Sequence, residues 1–205
     1  MVCYRRAIKL GWVMFMHIKQ CLMVAAIAAG VAASPASGQF GGTETEQFVA
    51  AVRARDGNKA TDLIRARPTT VNARDYSGDT GLLIAIGRRD DQWTAFLLDN
   101  GADPDATGRN GERPLTAAAR IGFGTAIAEL LARKAKVDAG NKMGETALIV
   151  AVQQRHVPIV RTLLAAGADP DKADSAAGYS ARDYAKRDPR AREILRLIET
   201  RKPKP

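Results

Sequence analysis

The fold is decided by residues 141–173, which read NKMGETALIVAVQQRHVPIVRTLLAAGADPDKA. Gly144 permits a tight turn with positive φ, because a residue without a Cβ adopts that conformation at no steric cost. Thr146 can then cap a helix that carries Leu148 and Ala151 on one apolar face. The first half of the stretch therefore predicts a turn followed by a short amphipathic helix.

The second half of the stretch predicts another helix and an extended exit. Pro158 suits the first turn of a helix, where its missing N–H costs nothing, and Leu163 and Leu164 belong to the buried stripe of that helix. Gly167 can close the helix in the left-handed conformation, after which residues 168–170 lead outward. The predicted unit is helix, turn, helix and extended finger.

This unit recurs along the chain with a nearly constant period. Gly78, Gly111 and Gly144 are spaced by 33, and Gly178 follows after 34. Leucine-containing pairs and single alanines keep the same phase: Leu63-Ile64, Leu97-Leu98, Leu130-Leu131, Leu163-Leu164 and Leu197-Ile198, with Ala85, Ala118, Ala151 and Ala185. Three kinds of position in register indicate a stack of repeats, in which each unit buries its apolar face against its neighbours.

The units resemble the ankyrin repeat, whose pattern is D-x-x-G-x-T-P-L-H-x-A, then a leucine pair and G-A-D-x-N. The matching positions are Asp75, Gly78, Thr80, Leu82, Ala85 and Gly101-Ala102-Asp103 in the first full unit, Gly111, Pro114, Leu115, Ala118-Ala119 and Gly122 in the second, and Gly144, Thr146, Leu148, Ala151 and Gly167-Ala168-Asp169 in the third. The histidine of the pattern is replaced by Leu83, Thr116 and Ile149. We therefore expect the hydrogen bonds that brace the helices in this family to be lost or replaced.

The resemblance covers roughly residues 46–199 and implies an all-α ankyrin-repeat solenoid. It would consist of stacked helix-turn-helix units with extended, β-hairpin-like fingers, about three full repeats and a capping repeat at each end. The predicted boundaries are 1–38 for a signal peptide, 39–45 for a flexible segment, 46–74 for the N-terminal cap, 75–107, 108–140 and 141–173 for the repeats, 174–199 for the C-terminal cap and 200–205 for a disordered basic tail.

Residues 1–38 read as a cleaved signal peptide. Lys19 precedes an apolar run from Cys21 to Ala33, which is shorter than the roughly 20 residues that span a bilayer. We predict cleavage after Gly38, with Val31-x-Ala33 as the competing site, and hence a periplasmic or secreted protein.

Three alternatives remain for this segment. In the first alternative the segment is retained as a membrane anchor. In the second the protein starts at Met14 or Met16 instead of Met1, and in the third the Arg5-Arg6 pair directs twin-arginine export. Each alternative changes how the chain is exported or anchored, and none alters the repeat region that follows.

Composition excludes several classes of site. Cys3 and Cys21 both lie within residues 1–38, so the rest of the chain has no cysteine for a disulfide, a zinc site or a nucleophile. The formal net charge of +9 belongs to the ends of the chain, because residues 39–181 carry 18 basic and 18 acidic residues, whereas residues 182–205 carry nine and four. A basic nucleic-acid-binding groove is therefore not supported.

The sequence predicts no catalytic, cofactor-binding or metal-binding residue, and therefore a non-enzymatic role. His156 is the one histidine after the predicted signal peptide, and no zinc-binding, Cys–His or phosphate-loop motif is present. Asp90-Asp91 favours the N-terminus of the coming helix. Asp103 and Asp105 belong to no loop that could supply the six or so oxygen ligands of Ca²⁺.

Stacked repeats present a continuous concave face and a row of finger tips, which in the ankyrin family make most partner contacts. Carried over residue by residue, the candidate protein-binding residues are Tyr76, Ser77, Asp79, Arg88, Arg109, Asn110, Glu112, Arg120, Ile121, Lys142, Met143, Glu145, Gln153 and Gln154. Tyr76 and Met143 stand out, because large apolar side chains at finger tips are suited to anchor a partner. The alternative is that each packs across to a neighbouring finger.

Two further aromatic residues are assigned by their phase in the repeat. Trp93 occupies a phase that Ala126 and Ile159 hold in other units, so we predict that it lies in the core. Phe123 follows Gly122 in the turn between helices and fits either the core or a binding surface.

The expected function is that of an exported, monomeric scaffold that binds a protein partner, with no cofactor and no nucleic acid. The alternative is a membrane-surface protein held by its basic C-terminal segment, since each Lys or Arg near anionic lipid is worth about 1 kcal/mol.

Overall fold

The computed structural model describes residues 43–200. The predicted signal peptide and residues 201–205 of the predicted tail lie outside this range. Within it the chain forms ten α-helices, short 3₁₀ turns and no β-strand. The helices are α1 (Glu44–Ala54), α2 (Gly57–Ala66), α3 (Gly81–Gly87), α4 (Asp91–Asp99), α5 (Pro114–Ile121), α6 (Gly124–Ala132), α7 (Ala147–Gln153), α8 (Val157–Ala165), α9 (Ala181–Arg187) and α10 (Arg192–Glu199).

The first helix begins before the predicted start of the repeat domain. Thr43 and Glu46 form a capping box, in which the backbone N–H of Thr43 donates to Glu46 Oε2 at 2.9 Å and Thr43 Oγ1 accepts from the N–H of Glu46. This reciprocal cap satisfies two backbone donors and extends α1 to Glu44. Residues 44 and 45 are therefore helical and do not belong to the flexible segment we predicted.

The helices form two layers. The first helices of successive units, α1, α3, α5, α7 and α9, pack against one another, and α4, α6, α8 and α10 pack side by side in a second layer. Aliphatic side chains such as Leu97, Ile127, Leu130 and Leu163 are fully buried in the core that the two layers share. The predicted all-α solenoid of helix-turn-helix units is confirmed.

The ends of the helices follow the turn chemistry of each unit. Thr146 Oγ1 accepts from the backbone N–H of Ile149, Pro158 lies in the first turn of α8, and Gly167 has a φ of 97°. These three predictions from the quoted stretch are confirmed. No helix within residues 43–200 is both long and apolar enough to cross a bilayer.

The turn between the two helices of a unit contains a residue whose backbone has a left-handed conformation. In three units this residue is an arginine. Arg55, Arg89, Gly122 and Arg155 have φ values of 58°, 55°, 68° and 56°. Only glycine adopts this region without strain. The arginines hold it because the next residue must already cap the second helix.

These arginines also connect successive turns. Arg55 forms an ion pair with Asp90 of the next turn, and Arg155 Nη1 lies 3.0 Å from Asp188 Oδ2. Arg89 donates to a backbone carbonyl of the following turn at 3.0 Å. The turns are therefore tied along the edge of the stack opposite the fingers.

The fingers are built around one side-chain position of the repeat, which residues 75, 108, 141 and 174 occupy. The acceptors are Oδ1 of Asp75, which bonds the N–H groups of Ser77 and Asp79, Oδ1 of Asn141, which bonds those of Met143 and Glu145, and Oδ1 of Asp174, which bonds those of Ala177 and Gly178. Gly108 holds this position in the second finger, where the N–H of Arg109 donates instead to Asp79 Oδ1 of the preceding finger at 2.9 Å. Local side-chain bonds thus fix the shape of the other three fingers.

Neighbouring fingers also approach each other closely. Gly144 has a φ of 74°, as its turn requires, and a Cβ there would lie 2.7 Å from the backbone N of Ser175 in the next finger. That N–H donates to the carbonyl oxygen of Met143 at 2.7 Å. Glycine is therefore needed both for the turn and for the contact between fingers.

The C-terminal unit caps the stack. Ser180 and Asp183 form a second capping box at the start of α9. Ile194 and Ile198 bury one face of α10, while Arg192 and other charged residues on its opposite face are exposed. This division into an apolar and a charged face lets the last helix close the core on one side and meet water on the other.

Candidate protein-binding surface

Two large apolar side chains are exposed, and both lie at finger tips. Tyr76 is 89% exposed and Met143 is 51% exposed, and within residues 43–200 no other large hydrophobic side chain is exposed to this degree. The backbone around each is held by the bonds to Asp75 and Asn141. The fingers therefore present these two side chains to solvent on a fixed backbone. We call the fingers and the exposed sides of the first helices the finger–helix surface.

Tyr76 does not pack across to a neighbouring finger. Its ring lies beneath the guanidinium of Arg53, whose Cζ is 5.7 Å from the ring centroid. Arg53 is itself held by an ion pair with Asp75, whose side chain is buried. The cation contacts one side of the ring and leaves most of its area open.

A cleft of about 500 Å³ lies beside Tyr76 at the N-terminal end of the finger–helix surface. Val49, Ala50 and Ala54 of α1 contribute apolar atoms to its wall, and Glu46 contributes a carboxylate. Within residues 43–200 no finger precedes α1, so no finger of the described residues covers this wall. Tyr76 and the cleft together form an apolar area with a charged rim.

The centre of the surface contains a three-residue charge cluster. Arg120 Nη2 lies 3.2 Å from Glu112 Oε2 and 3.9 Å from Glu145 Oε2, so one helix side chain bridges two fingers. Asn141 donates to Glu145 Oε2 at 2.8 Å. Burial raises the pKa of the Glu112 carboxyl above its ordinary value, although Arg120 opposes this shift. The cluster brings together three candidates that are far apart in the sequence.

Four other candidates take part in the structure of the repeats. The backbone N–H groups of Ser77 and Asp79 close the first finger, and Asp79 also binds the second. Arg88 Nη1 donates to the carbonyl oxygen of Arg53 at 2.8 Å. Ile121 is half-buried and packs against the core.

The remaining candidates lie at the surface. Arg109, Asn110 and Lys142 are exposed at the tips of the second and third fingers, where Asn110 adopts a φ of 55°. Gln154 is exposed at the end of α7, and Gln153 is half-buried beside it. The middle fingers are thus polar at their tips, apart from Met143.

The structure also shows a hydrogen-bonded pair that the sequence did not predict. Tyr184 donates its hydroxyl to Asp174 Oδ2 at 2.7 Å, and the Asp174 residue is 5% exposed. Burial acts to raise the pKa of Asp174, but hydrogen bonds from Tyr184 and from backbone N–H groups outweigh it and lower the pKa. The same bond raises the pKa of Tyr184. Asp174 follows Asn141 in the series of finger acceptors, and that regular spacing was the signal available in the sequence.

Trp93, Phe123, Asp90 and His156, considered above as possible functional residues, lie in the core or at the ends of helices. Trp93 is 9% exposed and meets Phe96 edge to face with centroids 5.2 Å apart, so the predicted core position is confirmed. Phe123 is 4% exposed, which decides between its two alternatives in favour of the core. Asp90 caps α4 through the N–H of Trp93, and His156 is half-buried at the start of α8.

Within residues 43–200, no group of three or more His, Cys, Asp or Glu side chains is arranged to hold a metal ion. The residues that the structure does bring together are polar hydrogen-bonding groups, one charge cluster and two exposed apolar side chains. Such a set is suited to contact another molecule.

Comparison with known families identifies the repeated unit. A family model described as ankyrin repeats, in three copies, matches residues 82–174. The chain contains ankyrin repeats. The matched residues include the second and third fingers and helices from α3 to α8, so the ankyrin repeats carry most of the finger–helix surface.

Individual relatives agree with this assignment. A putative ankyrin repeat-containing protein of Treponema pallidum (strain Nichols) is 32% identical over 143 residues, which are 69% of this chain and 47% of that protein. The B-cell lymphoma 3 protein homolog of Mus musculus is 34% identical over 100 residues, 48% of this chain and 22% of that protein. Ankyrin repeat domain-containing protein 63 of Mus musculus is 33% identical over 106 residues, 49% of this chain and 27% of that protein. The matched segment thus spans less than half of each relative.

Proposed function

We propose that this chain is an exported, non-catalytic ankyrin module that binds a protein partner through its finger–helix surface and acts as a scaffold. Ankyrin repeats generally mediate protein–protein interactions. The observation that carries the proposal for this chain is the exposure of Tyr76 and Met143 on finger tips of fixed backbone. Large apolar groups at such positions gain most by burial against a partner.

The rigidity of the fingers supports the same proposal. Three fingers are closed by their own side-chain and backbone hydrogen bonds, the second is bonded to Asp79 of the first, and the third and fourth are joined through the carbonyl of Met143. A preorganised surface loses little conformational entropy on binding, so more of the contact energy appears as affinity.

Export is supported by the sequence of residues 1–38. The basic Lys19, the apolar run to Ala33 and the small residues up to Gly38 have the order of a secretory signal peptide. The proposed location is the periplasm or the extracellular space, after cleavage at Gly38 or Ala33.

The test is co-purification of tagged full-length protein from its native host, with mass spectrometry of the bait's N-terminus and of its companions. We expect a cleaved bait with one stoichiometric partner. Replacing Tyr76→Ala and Met143→Ala together is expected to weaken that partner's binding by about tenfold or more.

The matched control is Lys59→Ala with Arg65→Ala, which truncates two exposed side chains on α2 and is expected to keep the partner. If the variant of Tyr76 and Met143 still binds the partner, the assignment of the binding surface to the finger tips is wrong. An uncleaved bait would contradict the proposed export by a cleaved signal peptide, whereas the proposed binding function would be unaffected.

A further inference from the structure

We propose that a cleft at the C-terminal end of the stack, between the exposed side of α9 and the turn that follows it, binds an acidic segment of the protein partner, with an apolar residue beside its carboxylates. This inference rests on the proposed partner-binding function and specifies the chemistry of the partner. The site is a cleft of about 450 Å³, which we call the C-terminal cleft. Its walls include Val152, Gln153, Tyr184, Arg187, Pro189 and Arg190.

Arg187 is the cation best placed to receive an anion in this cleft. Its guanidinium lies over the ring of Tyr179, with Cζ 3.8 Å from the ring centroid. Within residues 43–200 no ion pair involves Arg187. Because the ring holds the cation by its face, the N–H donors of the guanidinium remain for a carboxylate of another molecule.

The acids near the cleft are already engaged. Asp188 Oδ2 lies 3.0 Å from Arg155 Nη1, and Asp188 Oδ1 lies 3.3 Å from Arg190 Nε, so one carboxylate serves two arginines. Asp183 accepts from the hydroxyl and backbone N–H of Ser180 in the capping box. Asp174 accepts the hydroxyl hydrogen bond of Tyr184. Among the charged residues that line the cleft, Arg187 and Arg190 therefore stand against the single carboxylate of Asp188.

A cleft lined by Arg55, Arg88 and Arg89 with Asp90 and Asp91 also has more cations than carboxylates. There, however, Arg55 pairs with Asp90, and Arg88 and Arg89 donate to backbone carbonyls. In the central cluster two carboxylates, Glu112 and Glu145, face the single cation Arg120. In the cleft beside Tyr76, the carboxylates of Glu46 and Asp75 likewise accompany one arginine. Of these four places, only the C-terminal cleft combines more cations than carboxylates with an arginine, Arg187, that bonds no carboxylate or carbonyl within residues 43–200. Charge complementarity therefore assigns an acidic segment to that end and orients the partner.

The shape of the C-terminal cleft favours a polypeptide over the other polyanions. Val152 and Pro189 give it apolar walls, and the amide of Gln153 can bond a peptide group. A nucleic acid strand needs a continuous track of cations, whereas Asp188 lies in the middle of this one.

The experiment is fluorescence anisotropy of the full chain with a fluorescein-labelled peptide of roughly ten residues, in which aspartate and glutamate surround one leucine. The comparison peptide carries lysine at each acidic position. We expect the acidic peptide to bind, the lysine peptide not to bind, and Arg187→Ala with Arg190→Ala to weaken binding by about tenfold or more.

The control is Arg192→Ala with Arg196→Ala, which removes the same charge from α10 outside the cleft and is expected to change affinity by less than about twofold. The single variant Arg190→Glu provides a second test at an exposed position, in case loss of the Arg187–Tyr179 contact affects folding; thermal unfolding checks each variant.

The inference is overturned if the acidic peptide does not bind, or if the control variant loses as much peptide affinity as the variant of Arg187 and Arg190. It is also overturned if anionic vesicles or single-stranded DNA bind in a way that depends on Arg187 and Arg190, while binding of the peptide does not depend on them. The partner from the co-purification separates this inference from the proposed function. If the partner is lost on changing Tyr76 and Met143 but kept on changing Arg187 and Arg190, the binding surface stands and the acidic site does not.

Discussion

Thr116 occupies the position at which the ankyrin pattern has histidine, and with threonine there a buried hydroxyl lacks a hydrogen bond. The residue is fully buried, and its Oγ1 has no hydrogen-bond partner within residues 43–200; Thr94 Oγ1 is in the same state. A buried hydroxyl without a partner loses its bonds to water and receives nothing in return. The predicted loss of bracing hydrogen bonds therefore takes a specific form in the second repeat.

We expect Thr116→Val to raise the free energy of unfolding by about 1 kcal/mol, because valine has nearly the same shape and no orphan hydroxyl. Urea denaturation followed by circular dichroism measures the change. The matched control is Thr146→Val, whose hydroxyl caps α7 through the N–H of Ile149 and whose loss should destabilise the protein by about 1 kcal/mol. Destabilisation by both substitutions would show that Thr116 has a hydrogen-bond partner.

The hydrogen bond between Tyr184 and the buried Asp174 leads to a prediction that depends on pH. Tyr184→Phe removes a bond of 2.7 Å to a carboxylate while keeping the ring, so we expect a loss of about 1 to 2 kcal/mol at neutral pH. The pKa of Asp174 is lowered in the folded state. Its contribution to stability is therefore full above the carboxyl's ordinary pKa and declines as the pH falls through the lowered value.

The difference in unfolding free energy between wild type and Tyr184→Phe should accordingly be largest near neutral pH and shrink in acid. Urea denaturation at a series of pH values measures it. A difference that stays constant into acid would mean that the hydroxyl does not act through the Asp174 carboxylate.

At the scale of the element, the second finger departs from the other fingers. Gly108 stands where Asp75 and Asn141 supply a side-chain acceptor in other fingers. The second finger is bonded instead to Asp79 of its neighbour, through the backbone N–H of Arg109. A Cβ at Gly108 would lie 2.7 Å from Asp79 Oδ1 and would also collide with Leu83. The second finger thus depends on tertiary contact for a shape that the other fingers obtain locally.

We expect Gly108→Ala to destabilise the protein by about 1 to 3 kcal/mol, because backbone or side chains must move to relieve the collision. Gly57→Ala is the control: it lies in α2, and nothing lies within 4 Å of the added Cβ. That variant should gain about 0.5 kcal/mol from reduced freedom of the unfolded chain. Thermal unfolding of both variants distinguishes the collision from a general effect of added methyl groups.

For the whole molecule, stability in a linear stack comes from interfaces between neighbouring units. The C-terminal unit covers the apolar sides of α7 and α8 with α9 and α10. Its removal would expose core residues such as Val152 and Leu163, which are 2% and 0% exposed in the complete stack. An incomplete stack must therefore be less stable and more prone to associate.

We expect a chain that ends at residue 173 to unfold at a lower temperature and to form larger species by size-exclusion chromatography. A chain that lacks only residues 201–205 serves as the control and should keep the wild-type unfolding temperature. Equal stability of the two truncated chains would mean that the C-terminal unit contributes no interface to the stack.

The fold and much of the surface follow from features that lie within one unit. Regularly spaced turn glycines, the capping Thr146, Pro158 and the leucine pairs each act on backbone conformation or helix faces over a few residues. Such local preferences can be read without knowing what the neighbouring unit contributes. Tyr76 and Met143 were found for the same reason, since their positions beside turn glycines place them at tips.

Tertiary structure alone decided how side chains from different elements meet. Arg120 bridges two fingers, Tyr184 reaches Asp174, and Phe123 becomes buried, because folding and stacking bring together residues that are not neighbours in the sequence. The arginines of the interhelical turns take left-handed conformations that their own residue type does not favour. Sequence by itself determined the repeat, its helices and its finger tips; the contacts that set charge and polarity across the surface depend on packing between elements, for which local sequence preferences carry no signal.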